Sequence, residues 1–123
     1  MRYLTLLKAT QPAGPPPPEL MEAIMALGAE ATASGALLDT AGLAPSAAGA
    51  RVDVVGSRLS VTDGPFAEAE ETISYALYEV RSKDEAVEWA SRFMGLHRDL
   101  WAGWEGETDV LKVMGPEDFA GPA

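Results

Sequence analysis

Arg51-Val52-Asp53-Val54-Val55-Gly56-Ser57-Arg58-Leu59-Ser60-Val61-Thr62 is two alternating runs of β-forming residues separated by Gly-Ser. Apolar and polar side chains alternate up to Val54 and again from Arg58 to Thr62, the period of a strand with one buried face, and two intervening residues suit a hairpin loop. Glycine at the first loop position predicts a type II′ turn. Val52, Val54, Leu59 and Val61 are the expected buried residues. The second run stops at Asp63-Gly64-Pro65-Phe66, a cluster of turn-forming residues, and an acidic stretch, Glu68 to Glu71, follows. Thr72 to Arg81 is rich in β-formers and apolar on both faces, which predicts a central strand.

Beyond that strand, Ser82-Lys83-Asp84-Glu85 has the form of a capping box, in which the serine caps the helix and the glutamate three residues on reaches back. Ala86, Ala90, Phe93, His97 and Leu100 or Trp101 continue at helical spacing, so a second helix is expected over about Lys83 to Leu96 with an extra turn possible. Trp101 to Gly106 reads as a loop, Glu107 to Met114 as the last strand, and 115–123 as a short tail opened by Gly115-Pro116. Before the hairpin, Arg2 to Lys8 is apolar on both faces and predicts an inner strand. Residues 9–18 hold five prolines, four of them consecutive, and read as a stiff extended lead-in rather than a partner-binding motif. Leu20, Ile24, Leu27 and Ala31 recur at helical spacing up to Gly35, placing a first helix over about Pro18 to Ser34. Ala36 to Ala44 is a short edge strand or extended loop.

The order is therefore strand, helix, hairpin, strand, helix, strand. With two helices on one face of an antiparallel sheet, the fold class is α+β, a ferredoxin-like sandwich within one domain spanning residues 1–123. The other sheet face is left open, and a two-fold dimer is the expected cover.

The chain has 123 residues with 9 Lys plus Arg, 19 Asp plus Glu and a formal net charge of −10. That balance argues against nucleic acid and anionic membrane surfaces as partners, because such binding draws on Lys and Arg. With no Cys and one His, thiol nucleophiles, Cys-ligated metals, disulfides and a multi-histidine metal site within one chain drop out. No metal and no cofactor is expected. No apolar run reaches signal-peptide or membrane-span length, so a cytoplasmic, soluble protein is expected.

Val61-Thr62-Asp63-Gly64-Pro65-Phe66-Ala67-Glu68 with Glu71 beyond it resembles the signature of the DGPF subgroup of the YCII-related family. Leu6-Leu7-Lys8, Gly42-Leu43-Ala44-Pro45, Gly49-Ala50-Arg51-Val52, Glu85 to Ala90 and Glu117-Asp118-Phe119 agree with it, so the likeness covers almost the whole chain. The resemblance implies a dimeric α/β barrel, in which two ferredoxin-like subunits face each other around a shared cavity that takes a small organic molecule. The wider superfamily includes muconolactone isomerases, a chlorohydroxyquinol dehydrochlorinase and heme- or quinone-handling monooxygenases. Many DGPF members resemble accessory proteins encoded beside extracytoplasmic-function sigma factors. In the YCII branch a His and Asp pair is taken as the active site, the His at the start of the first helix; Pro15 to Glu22 holds no histidine here.

Asp63 is the first catalytic candidate: a carboxylate at a strand end serves either as a general base or as a turn residue that accepts backbone N–H groups. Gly64, Pro65 and Phe66 complete the structural motif, and Phe66 anchors against the core or a partner subunit. His97, the second catalytic candidate, is either a satisfied semi-buried histidine or a base that reaches the cavity beside Asp63. Lys8, Phe66 and Trp101 are the ligand-binding candidates. Lys8 offers a cation to an anionic substrate or forms an ion pair. Trp101, Trp104 and Trp89 line a ligand cavity or pack in the core and interface. Glu68, Glu70 and Glu71 form a run whose default role is solvation or capping. Two functions stand: an acid/base enzyme or ligand binder with an intersubunit cavity, and an accessory module whose acidic surface meets a basic protein partner.

Overall fold

The computed structural model describes residues 1–10, 14–66 and 69–119. Residues 11–13 of the Pro-rich segment, Glu68 of the acidic run and residues 120–123 of the tail lie outside them. Four strands, β1 (Arg2–Ala9), β2 (Leu37–Gly42), β5 (Glu71–Glu79) and β6 (Glu107–Lys112), form an antiparallel sheet in the order β2-β5-β1-β6. Helices α1 (Pro18–Ala33) and α2 (Lys83–Leu100) supply the crossovers. This is the βαββαβ order of a ferredoxin-like α+β fold, with a hairpin, β3 (Ala50–Val55) and β4 (Arg58–Asp63), inserted between β2 and β5. A helical turn, α3 (Pro116–Phe119), lies within the expected tail.

Alternation along β1 explains the layering. Tyr3, Thr5, Leu7 and Ala9 are buried, and both helices cover that face; Leu4, Leu6 and Lys8 point to the other side. Tyr3, Tyr78, Val80, Ala36 and Ala86 form the core, and Trp89 stacks on Tyr78 with ring centroids 6.4 Å apart. Ser82 caps α2 by accepting from the Glu85 amide at 3.1 Å, while the Glu85 carboxylate accepts from the amide of Arg81, one residue before the cap. The helix runs through His97 to Leu100, taking in the extra turn.

The hairpin departs from expectation in two ways. Its turn is type I′, since Gly56 (φ 56°) and Ser57 (φ 66°) both have positive φ, whereas a type II′ turn needs this only at the first position. Type I′ also matches the right-handed strand twist. More consequentially, Val52, Val54, Leu59 and Val61 are not buried but 61–72% exposed. β3 and β4 pair only with each other and leave the main sheet, and no layer among the described residues lies over their apolar face. Strand periodicity reports that one face is apolar; it does not report whether another element covers it.

Candidate functional site

At one end of the sandwich, where β1 ends, β5 begins, α1 starts and α2 finishes, the layers part around a cavity of about 390 Å³. Leu7, Leu20, Ile24 and Phe93 give it apolar walls, and Trp101 and Trp104 close it. Ile73 lines it because the β1–β5 register slips between Leu7 and Lys8, which pair with Ser74 and Thr72 and leave Ile73 as the bulged residue.

His97 is the cavity's one imidazole, and it is only 4% exposed. Its Nδ1 lies 2.9 Å from the Phe93 carbonyl oxygen one helical turn back. A carbonyl only accepts, so Nδ1 carries the proton and Nε2 presents a lone pair. Phe93 meets the ring edge-on at 4.7 Å and Trp104 lies tilted over it at 4.5 Å. Nε2 has no protein partner among the described residues. Burial pushes the His97 pKa below its ordinary value, and the Phe93 carbonyl, which favours the charged form, only partly offsets this. The result is a neutral imidazole on the cavity wall whose acceptor nitrogen is left accessible, without a protein partner among the described residues.

Beside the cavity, the Asp63-Gly64-Pro65-Phe66 block forms a joint. Ser46, buried in the 3₁₀ turn Ser46–Ala48, donates its amide and hydroxyl to the Glu71 carboxylate at 3.1 and 2.8 Å, and its Oγ accepts from the Phe66 amide at 3.2 Å. Gly64 donates to the Gly49 carbonyl at 2.9 Å and lies so close to Ser46 that a Cβ would fall 1.7 Å from the Ser46 oxygen. Only glycine fits there. Phe66 lies under the Arg51 guanidinium, 4.4 Å from ring centroid, on the wall of an open groove of about 740 Å³ that shares Leu43, Pro45, Glu71 and Thr72 with the His97 cavity. Glu71, read from sequence as part of a solvated or capping run, caps that turn.

The candidates do not all converge. Asp63 is exposed, paired in register with Ala50, and lines neither hollow, so the structure does not bring it to His97. Lys8 lies on the open sheet face and donates to Asp109 at 2.8 Å; that hydrogen bond and the charges of Asp109, Glu107 and Glu70 raise its pKa. Trp101 and His97 do meet in one cavity, joined by Trp104, whose ring stacks on Trp101 at 6.2 Å. Sequence reasoning missed the Ser46–Glu71 clasp, since the pair is 25 residues apart and Glu71 reads only with the acidic residues beyond the DGPF block, with no signal tying it to Ser46. Trp104 carried a weak signal as an aromatic just past the helix end, and Ile73 none.

Among curated proteins none matches the chain. The YCII-related domain is the family whose model matches, over residues 1–101, a span that takes in the hairpin joint and His97 and Trp101, and leaves Trp104 and β6 outside. A match over that share of its length makes this chain a member of the YCII-related family.

Proposed function

We propose that this protein binds a small organic molecule in the apolar cavity closed by Trp101 and Trp104, that it does so as a homodimer, and that any chemistry there is proton transfer at His97 rather than at Asp63. The single observation that carries the reading is the buried imidazole whose Nε2 has no protein partner at the wall of a 390 Å³ hollow. The Asp63-Gly64-Pro65-Phe66 joint supports membership of the DGPF subgroup. Dimerisation is supported by the uncovered sheet face. Leu77, Leu4 and Leu111 stand side by side across β5, β1 and β6, flanked by the Tyr75–Asp39 hydrogen bond and the Lys8–Asp109 ion pair.

The exposed hairpin favours a second reading. Val52, Val54, Leu59 and Val61 make an apolar face that suits an accessory module docking on another protein, and a sigma-factor system would supply such a partner. Two measurements separate the readings. Light scattering should give twice the mass of one chain, and a monomer mass refutes the dimer. NMR mapping with aromatic fragments should shift His97, Trp101 and Trp104; shifts confined to the hairpin would favour the accessory role.

A further inference from the structure

The polar inventory of the His97 cavity constrains what it holds. No Lys or Arg is among the described residues that line it, so no cationic side chain there compensates a ligand anion. Its one carboxylate, Glu71, already accepts from Ser46 through both oxygens and adds negative charge at the rim. Thr40, Thr72 and Ser74 bring hydroxyls and Trp101 and Trp104 bring indole N–H groups, all of which can donate, whereas Nε2 of His97 is the uncharged side-chain group on the wall that only accepts, because Nδ1 holds the proton against Phe93. An uncharged molecule is therefore favoured, and to pair Nε2 it has to bring a donor.

Shape narrows it further. A volume of about 390 Å³ is near the small end of ligand pockets, enough for one or two rings. Trp101 and Trp104 lie within 21° of parallel, and Trp104 continues onto the His97 ring at 36°, so three aromatic rings stand together on one wall of the cavity. A wall of aromatic rings favours an aromatic, hence flat, ligand packed offset or edge-to-face against it.

Resting on the reading of this cavity as the binding site, we propose that it selects an uncharged, flat compound of one or two rings bearing a phenolic or enolic hydroxyl, which donates to Nε2 of His97. The proton stays on the ligand oxygen in this complex, and no bond is made or broken.

Three probes of one shape test it: 2-naphthol, which donates; 2-methoxynaphthalene, which only accepts; and 2-naphthoate, which is anionic. Titration calorimetry on the intact protein near neutral pH should find 2-naphthol bound about fivefold to tenfold more tightly than the ether, the worth of one neutral hydrogen bond, with the carboxylate weakest. In His97→Phe, checked for folding by circular dichroism, the preference for 2-naphthol over the ether should vanish. If that variant does not fold, the probe order on the unaltered protein decides. Equal affinity for 2-naphthol and the ether, or tightest binding of the carboxylate, overturns the hydroxyl selection and leaves the cavity as a binding site. Failure of all three to bind overturns the cavity reading and this inference with it.

Discussion

Gly64→Ala is the sharpest test of how the hairpin is held. The added Cβ would lie 1.7 Å from the Ser46 carbonyl oxygen, 2.6 Å from its carbonyl carbon and 3.2 Å from the Ala47 Cα. A carbon and an oxygen settle at about 3.3 Å or more, so roughly 1.5 Å of overlap has to be relieved. All three neighbours are backbone atoms, and rotating a side chain relieves none of it. Ser46 is tied to Glu71 by two hydrogen bonds and to the Phe66 amide by a third, so the strand end has to move. That movement breaks the Gly64–Gly49 bond and the Phe66–Ser46 bond, each worth about 1 kcal/mol, on top of an overpacking cost of about 1–3 kcal/mol. The expected loss is about 3–5 kcal/mol, a fall in Tm of very roughly 12–20 °C at this chain length. Release of the hairpin without global unfolding sets the upper limit of the loss. Urea denaturation followed by circular dichroism reads it. Gly28→Ala is the control, because nothing lies within 4 Å of its would-be Cβ; within α1 it should stabilise by about 0.5–1 kcal/mol. A Gly64→Ala protein within about 0.5 kcal/mol of the unaltered chain would refute the close approach of β4 to the 3₁₀ turn.

Ser46→Ala removes one of the two donors on Glu71 and the acceptor of the Phe66 amide, and should cost about 1–3 kcal/mol and speed hydrogen exchange at Phe66; unchanged exchange there counts against the joint. His97 is held below its ordinary value of 6.5 by burial, so on acidification the unfolded chain takes its proton first. Its contribution to stability is therefore present above about pH 6.5 and lost as the pH falls through the folded value. Urea midpoints at about pH 5.5 and 7.5 should differ more in the unaltered protein than in His97→Phe. The sole histidine's ring protons should titrate below 6.5 by NMR, and a value at or above it would refute the buried neutral ring.

Local signals were legible where a residue's environment is set by its near neighbours. Ser82 and Glu85 stand three apart, and their capping contacts follow from helix geometry. β1 and β5, read as apolar on both faces, are the two inner strands of the sheet, where the helices cover one face and the chain leaves the other open. The hairpin was legible as a hairpin, and its exposure was not, since covering Val54 and Leu59 depends on an element that none of the described residues supplies. The same division runs through the site. Phe93 and His97 are one turn apart, so their contact is written in the spacing, whereas the meeting of His97 with Trp104 requires the loop after α2 to fold back over the helix end.

The sequence alone determined the α+β class, the two main helices, the hairpin, the two inner strands, the absence of thiol chemistry and the single imidazole available for any proton transfer, because these follow from composition and from periods of 2 and 3.6 residues; that Leu37–Gly42 is the fourth strand of the main sheet came only with the tertiary structure. Tertiary structure decided which candidates share a site. It separated Asp63 from His97, paired Lys8 with Asp109, brought Ser46 to Glu71, and set His97 beside Trp101 and Trp104 at the wall of a cavity. The physical reason is distance along the chain. A contact between residues close in sequence is fixed by local backbone geometry. One between residues 25 or 101 apart, such as Ser46 with Glu71 or Lys8 with Asp109, exists only once sheet register and layer packing have brought the segments together.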